Sequence, residues 1–370
     1  MNAPDLKPAL VEDAAVRNCI AETVRADIRA LSAYATAKAE GMIKLDAMEN
    51  PYTLPAGVRA RIAAAAANVE INRYPDGGGD AVKKALRDTL EMPAAAGVIL
   101  GNGSDELIQM LTTLVAAPGA TVLAPDPTFV MYRRYAVHAK ARYVAVDLRA
   151  DFSLDLAAML AAIERERPAL VWLAYPNNPT GNAFDAGDIG QIARAAPGLC
   201  VVDEAYYAFA ADSFLPRVLD FPNVAVLRTL SKIGMAGLRL GYAVAHAGWI
   251  AELEKVRPPY NVNALTQAVV PILLQEGVLI VEQAGAIRAE RTRLAAALGA
   301  IRRVTVHPTQ TNFVLARVPD AKLWFETLRA AGILVKNLHG AHPLLDNCLR
   351  ITVGTPVEND RLLSALERFA

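Results

Sequence analysis

Between residues 97 and 245, short apolar runs alternate with longer stretches whose apolar positions recur at helical spacing. The runs 98–100, 121–124, 143–146, 170–174, 199–202, 225–228 and 239–244 predict strands. The intervening segments 154–165 and 186–195 are alanine-rich and amphipathic, and predict helices. Alternation of this kind predicts an α/β fold: a mostly parallel central sheet with helices on both faces. Ligands in such sheets bind beyond the carboxyl ends of the strands.

After residue 265 the texture changes. A long helical pattern covers 279–298, followed by strand-like runs at 312–316, 332–336 and 349–353. That predicts a smaller α+β lobe. The expected organisation is an arm plus part of the small lobe in 1–50, a large lobe in 51–264, and the small C-terminal lobe in 265–370.

Composition narrows the classes. Hydrophobic residues make up 54% of the 370, enough for a large core, and much of that fraction is helix-favouring alanine. Lysine plus arginine equals aspartate plus glutamate at 38 each, without the basic excess of a nucleic-acid surface. Cys19, Cys200 and Cys348 are far apart and odd in number, which suits a reducing compartment and no zinc site. The first residues, with Asp5, Lys7, Glu12, Asp13 and Arg17, lack the apolar run of a secretory signal. No stretch is apolar for long enough to span a bilayer. A soluble cytoplasmic protein without metal, membrane or nucleic-acid partners is expected.

Lys232 carries the sharpest chemical signal. It lies in Thr229-Leu230-Ser231-Lys232-Ile233-Gly234-Met235-Ala236-Gly237-Leu238-Arg239, just past the apolar run 225–227. A lysine emerging there, near an arginine, is partly desolvated and its neutral amine is favoured. It can hold an aldehyde as a Schiff base and later act as a general base. The plain alternative is a solvated surface lysine. Asp203 follows the apolar run 199–202, where a carboxylate is costly unless paired. It either caps a neighbouring helix or pairs with a protonated pyridine nitrogen. Tyr206 and Asn178, the latter in the turn Asn178-Pro179-Thr180-Gly181, can both serve a ring oxygen.

Gly101-Asn102-Gly103-Ser104-Asp105-Glu106 leads from a strand into an amphipathic helix, whose first amides suit a phosphate dianion. Ser104 equally reads as an ordinary helix cap, and one residue can do both. The glycine spacing matches neither a dinucleotide fingerprint nor a Walker loop. Ser231, Thr229 and Arg239 can close the phosphate site from the other side. Phe129, after Pro125-Asp126-Pro127-Thr128, either stacks on a pyridine face or packs in the core. An anchoring lysine, an acid for a ring nitrogen, groups for a ring oxygen and a phosphate cradle are what pyridoxal 5'-phosphate (PLP) needs.

These residues resemble the fold-type I PLP-dependent aminotransferases and, within them, the histidinol-phosphate aminotransferases, from about Ile28 to the C-terminus. The segments at Asn178, 203–206 and 231–239 are general to the superfamily. More specific are Leu45-Asp46-Ala47-Met48-Glu49-Asn50-Pro51-Tyr52, Asn72-Arg73-Tyr74-Pro75 and Cys348-Leu349-Arg350-Ile351-Thr352-Val353-Gly354-Thr355. The resemblance implies that Lys232 bonds the cofactor, Asp203 pairs with the pyridine nitrogen, and Tyr206 and Asn178 serve the ring oxygen. It gives the phosphate to the amides of Ser104 and Asp105, to Ser231 and to Arg239. It also implies that Tyr74 reaches that phosphate from the other subunit, so that a homodimer shares its active sites. Arg350 is implied to bind the anionic group of the substrates, with Tyr34 and Asn312 lining the pocket.

Three departures stand out. Lys232 and Arg239 are seven residues apart, 239 minus 232, where many relatives use eight. Phe129 replaces a frequent tyrosine. Lys336 falls near an expected substrate-binding arginine, keeping the charge but losing the planar fork that grips phosphate. The reaction implied is transamination between histidinol phosphate or imidazole acetol phosphate and glutamate or 2-oxoglutarate, in histidine biosynthesis. Alternatives on the same scaffold are an aromatic amino-acid aminotransferase, a phospho-amino-acid decarboxylase, and a cofactor-retaining protein without turnover. A DNA-binding role is not expected, because no winged-helix or basic segment is visible.

Overall fold

The structure, a computed structural model, describes residues 14–34 and 37–369 and falls into two units that divide after Lys38. The charged positions Asp5, Lys7, Glu12 and Asp13 lie outside the described residues. The first unit carries two helices, Ala14–Thr23 and Ala26–Arg29.

The second unit opens with a short strand, β1 (Ile43–Lys44). Seven strands then follow: β2 (Ala96–Asn102), β3 (Thr121–Asp126), β4 (Arg142–Asp147), β5 (Leu170–Ala174), β6 (Leu199–Asp203), β7 (Val224–Thr229) and β8 (Leu240–His246). They form one sheet in the order β2-β8-β7-β6-β5-β3-β4. Only β8 runs against its neighbours; the contacts among the other six are parallel. Strict alternation along the strands feeds two cores. Leu100, Val171, Leu173, Val202 and Val226 pack on one face with Met159, Ile163 and Ile192 from helices Leu156–Glu166 and Ala186–Ala195. Ile99, Trp172, Val201, Leu227 and Ala243 pack on the other with Leu107, Leu111 and Tyr132 from helices Ser104–Val115 and Met131–His138. With both faces covered, β5, β6 and β7 are buried at every position, which is why they read as unbroken apolar runs. Asp155 and Asp185 start two of these helices by accepting from backbone amides within the first turn.

The remaining strands are β9 (Thr305–Val306), β10 (Phe313–Arg317), β11 (Ile333–Leu334), β12 (Lys336–Asn337) and β13 (Cys348–Thr352). An antiparallel sheet runs β12-β13-β10-β9, while β1 and β11 form a parallel pair. Helix Gly277–Gly299 covers this part with Ala284, Ile287, Leu294 and Leu298. The single strand expected over 332–336 is thus two, divided at Val335. Its first half is captured by β1, some 290 residues earlier by number (333 minus 43), a partner that no local pattern reveals. The strand expected from Arg239 begins one residue later, since Arg239 has a φ of +50° and cannot be extended. Among the described residues, no single helix is long and apolar enough to cross a membrane.

Candidate active site

Four segments meet at the carboxyl edge of the large sheet. There, β2 runs into Gly103 and Ser104, β6 ends at Asp203, and β7 ends at Thr229, just before Ser231 and Lys232. Because β8 is antiparallel, its beginning lies at the same edge: Leu240 pairs with Asn102 and Gly241 with Thr229. The chain covers the span from Lys232 to Arg239 with two short 3-10 turns, Ser231–Ile233 and Ala236–Leu238. Gly234, at a φ of +100°, joins them in a conformation that side-chain-bearing residues rarely adopt. Gly241 is required by proximity. A Cβ there would sit 2.6 Å from the Ser104 nitrogen and 2.7 Å from the Gly103 carbonyl carbon.

The helix that starts at Ser104 has Gly103 in the cap position, with no side chain bonded to its first amides. Ser104 is therefore inside the first turn and does not cap it. Arg239 flanks the same turn, donating to Asp105 Oδ2 at 3.3 Å. Gly103 has a φ of +81°, which side-chain-bearing residues rarely adopt, and a Cβ there would also displace the tip of the Arg239 side chain, 2.6 Å away. Ser231 is buried and accepts from Thr229 Oγ1 at 2.9 Å.

Asp203 is buried, 5% exposed, and does not cap a neighbouring helix. Oδ1 accepts from the Ala205 amide at 3.1 Å within its own turn, and Oδ2 accepts from the Tyr132 hydroxyl at 2.7 Å. Burial pushes its pKa up to about 6, against the pull of those two donors. Lys232 is half-buried. Burial, followed by the charge of Arg350, brings its ammonium down to about 8. Its Nζ lies 6.0 Å from the centroid of the buried Tyr206 ring, which packs edge-on against Phe313.

The segment 46–48 ties the site to the second sheet. Its carbonyls accept in succession from Arg350 Nη2 at 3.0 Å, Lys232 Nζ at 3.3 Å and Asn312 Nδ2 at 2.8 Å. Arg350 also donates from Nη1 to Asn178 Oδ1 at 2.5 Å, a link of 172 residues. Asn178, Lys232, Asn312 and Arg350 are thus joined directly or through one backbone segment. Phe129 is half-buried and meets Tyr132 edge-on at 5.6 Å.

Three further expected residues are exposed. Tyr74 is 81% exposed and stacks on Tyr260 at 4.5 Å. Lys336 is exposed on β12, opposite Arg350 in register. Tyr34 is an exposed residue of the first unit. A separate cleft of about 400 Å³, lined by Lys44, Glu49, Asn50, Glu358 and Arg361 among others, contains none of the expected residues.

Sequence reasoning missed two elements. One is Tyr132, whose spacing from Phe129 marks a shared helix face but not its bond to Asp203. The other is a buried ion pair, Glu204 with Arg228, at 2.8 Å. It braces the ends of β6 and β7, and Glu204 also accepts from the Phe214 amide. Opposite charges at the ends of two adjacent apolar runs were a usable signal for that pair.

The class I and II aminotransferase family model matches residues 40–366. The chain is 54% identical to the histidinol-phosphate aminotransferase of Chromobacterium violaceum, over 95% of this chain and 98% of that one. Histidinol-phosphate aminotransferase 2 of Cupriavidus pinatubonensis is 51% identical over 94% and 96% of the respective chains. Among solved structures, the histidinol-phosphate aminotransferase of Sinorhizobium meliloti in complex with pyridoxal-5'-phosphate superposes with a TM-score of 0.84. It is 27% identical and covers 94% of this chain and 97% of its own. This chain belongs to the class I and II aminotransferases and, within them, to the histidinol-phosphate aminotransferases, enzymes of the PLP-dependent fold type I.

Proposed function

We propose that this enzyme exchanges the amino group of histidinol phosphate or glutamate for the oxo group of 2-oxoglutarate or imidazole acetol phosphate, in histidine biosynthesis. The observation that carries this reading is the 54% identity over nearly the full length of both chains. The donor set fits PLP: a buried carboxylate, a lysine with a lowered pKa, and helix amides left open beside an arginine by Gly103. When bound, PLP supplies an electron sink that makes the substrate carbon bearing the amine acidic.

In this reading Lys232 anchors the cofactor aldehyde and then takes and returns the proton at that carbon. Its pKa near 8 leaves part of the amine neutral around neutral pH, as a base requires. Asp203 pairs with the pyridine nitrogen, and Phe129 lies against the ring. Tyr206 and Asn178 serve the ring oxygen. Asn178 spends its carbonyl end on Arg350, which leaves its amide nitrogen as the donor. The amides of Ser104 and Asp105, with Ser231 and Arg239, hold the phosphate, and Tyr74 does so from a second subunit of a homodimer. Arg350 takes the anionic group of the substrates; Tyr34, Asn312 and Lys336 are the further substrate contacts. The lobes divide near residue 264, with PLP held by residues 51–264, and the enzyme works in the cytoplasm.

Single half-reactions test this. The PLP-loaded enzyme is mixed with one amine at a time and its cofactor absorbance is followed. Bleaching by histidinol phosphate, reversed by 2-oxoglutarate, is the expected result, and Lys232→Ala should lose it by about 10²–10⁴-fold or more. Carbon dioxide release from a phospho-amino acid, or no bleaching with any phosphorylated or aromatic amine, overturns the assignment.

A further inference from the structure

Tyr132 is fully buried, and its ring lies flat on Trp172, with centroids 4.6 Å apart and planes 4° from parallel. Phe129 meets it edge-on, with centroids 5.6 Å apart. Two aromatic neighbours and the helix Met131–His138 leave the ring no second orientation in a close-packed core. Its hydroxyl is therefore fixed, and it points at Asp203 Oδ2 from 2.7 Å. The other carboxyl oxygen is held by the Ala205 amide. A carboxylate accepting one bond on each oxygen cannot rotate, yet keeps lone pairs for a further donor.

We propose that Tyr132 is a positioning residue for the cofactor: it locks the Asp203 carboxylate in the orientation that receives the pyridine N–H of PLP. This rests on the PLP reading above and adds a residue to it. The same hydrogen bond supplies an electrostatic service. Asp203 must be ionised to hold a protonated pyridine, but burial opposes that, and so do Asp105 from helix Ser104–Val115 and Glu204 in the adjoining turn. Against them stand the Tyr132 hydroxyl and the Ala205 amide, of which only the hydroxyl belongs to a side chain. Tyr132 stays a donor throughout, because burial first, and then Asp203, push its own pKa well above the usual phenol value. Tyr143 and Tyr206 also face its ring and act in the same direction.

The test measures PLP affinity rather than turnover. The full-length protein, stripped of PLP, is titrated with it across pH by protein fluorescence. For wild type, affinity should fall on the acid side as Asp203 takes a proton. Tyr132→Phe keeps the stacked ring and removes the donor. It should weaken PLP binding about ten-fold near neutrality and move the acid midpoint up by about one pH unit, the size of one bond to a charged group. In an Asp203→Asn background the same change should do nothing further to affinity. If Tyr132→Phe fails to fold, 3-fluorotyrosine at 132, a stronger donor of nearly the same shape, should move the midpoint down instead. Weaker binding with an unmoved midpoint, or an effect that persists beside Asp203→Asn, would mean that Tyr132 only packs, and overturns the proposal. A wild-type protein that takes up no PLP at all would sink the cofactor reading instead, so the two failures are distinct.

Discussion

Lys232 sits in a balance of charges set mainly by residues distant in sequence, with Arg239 in its own loop the smallest contributor named. Burial lowers its pKa most, Arg350 lowers it further, and Asp105 and Glu49 partly restore it. Arg350 comes from β13, 118 residues away (350 minus 232). The sign is clear: a lysine brought from 10.5 down to about 8 is charged below that pH and neutral above it. In the PLP-free protein, competitive acetylation followed by peptide mapping should show Lys232 titrating near 8. Arg350→Met should shift that midpoint upward, because the largest repelling charge is gone. The same substitution should raise the KM for anionic substrates. An unchanged midpoint would mean that burial alone sets the lysine, and that Arg350 acts only on substrate.

At the scale of elements, the antiparallel strand β8 brings together the residues proposed to hold the phosphate. Gly241 lets β8 pass within contact of the turn at Gly103 and Ser104, and the atoms in its way are backbone, which cannot swing aside. Gly241→Ala should displace the start of helix Ser104–Val115 and weaken PLP binding by about ten-fold or more, since several amide contacts to a dianion depend on that position. Equilibrium dialysis measures this; Gly237→Ala, where an added Cβ meets nothing, is the control. The sheet itself was readable because strands buried on both faces must be apolar throughout. The turn from β2 into helix Ser104–Val115 was readable because glycines and a helix start are adjacent in sequence. What stayed hidden is what long-range pairing creates: the split at Val335, and the successive carbonyls of 46–48 that hold Arg350, Lys232 and Asn312. The segment 45–52 was recognisable from the family resemblance, but no local pattern says where its carbonyls point. Ser104 misled for the opposite reason, since the local rule for caps favours serine while the structure gives the position to the glycine before it.

For the whole molecule, the proposal of shared sites rests on surface that a lone chain has little reason to keep. Tyr74 and Tyr260 stack on each other yet remain 81% and 45% exposed, and Ile71, three residues before Tyr74 in sequence, is 82% exposed. A paired aromatic surface, with an exposed isoleucine close in sequence, suits burial against a second copy. In a two-fold dimer the same patch contributes twice, so each Tyr74 would serve the site containing the other chain's Lys232. Subunit mixing decides this. Lys232→Ala lacks the amine and Tyr74→Ala lacks the phosphate contact, so each homodimer should be impaired. After co-refolding, half of the dimers should be hybrids, each with one site that has both defects and one that has neither. Random pairing therefore restores about one quarter of wild-type sites. Recovery near that level, appearing only after subunits exchange, is the expected outcome. No recovery, with hybrids demonstrated by differential tagging, would place Tyr74 outside the neighbouring site and leave each chain to bind its phosphate alone.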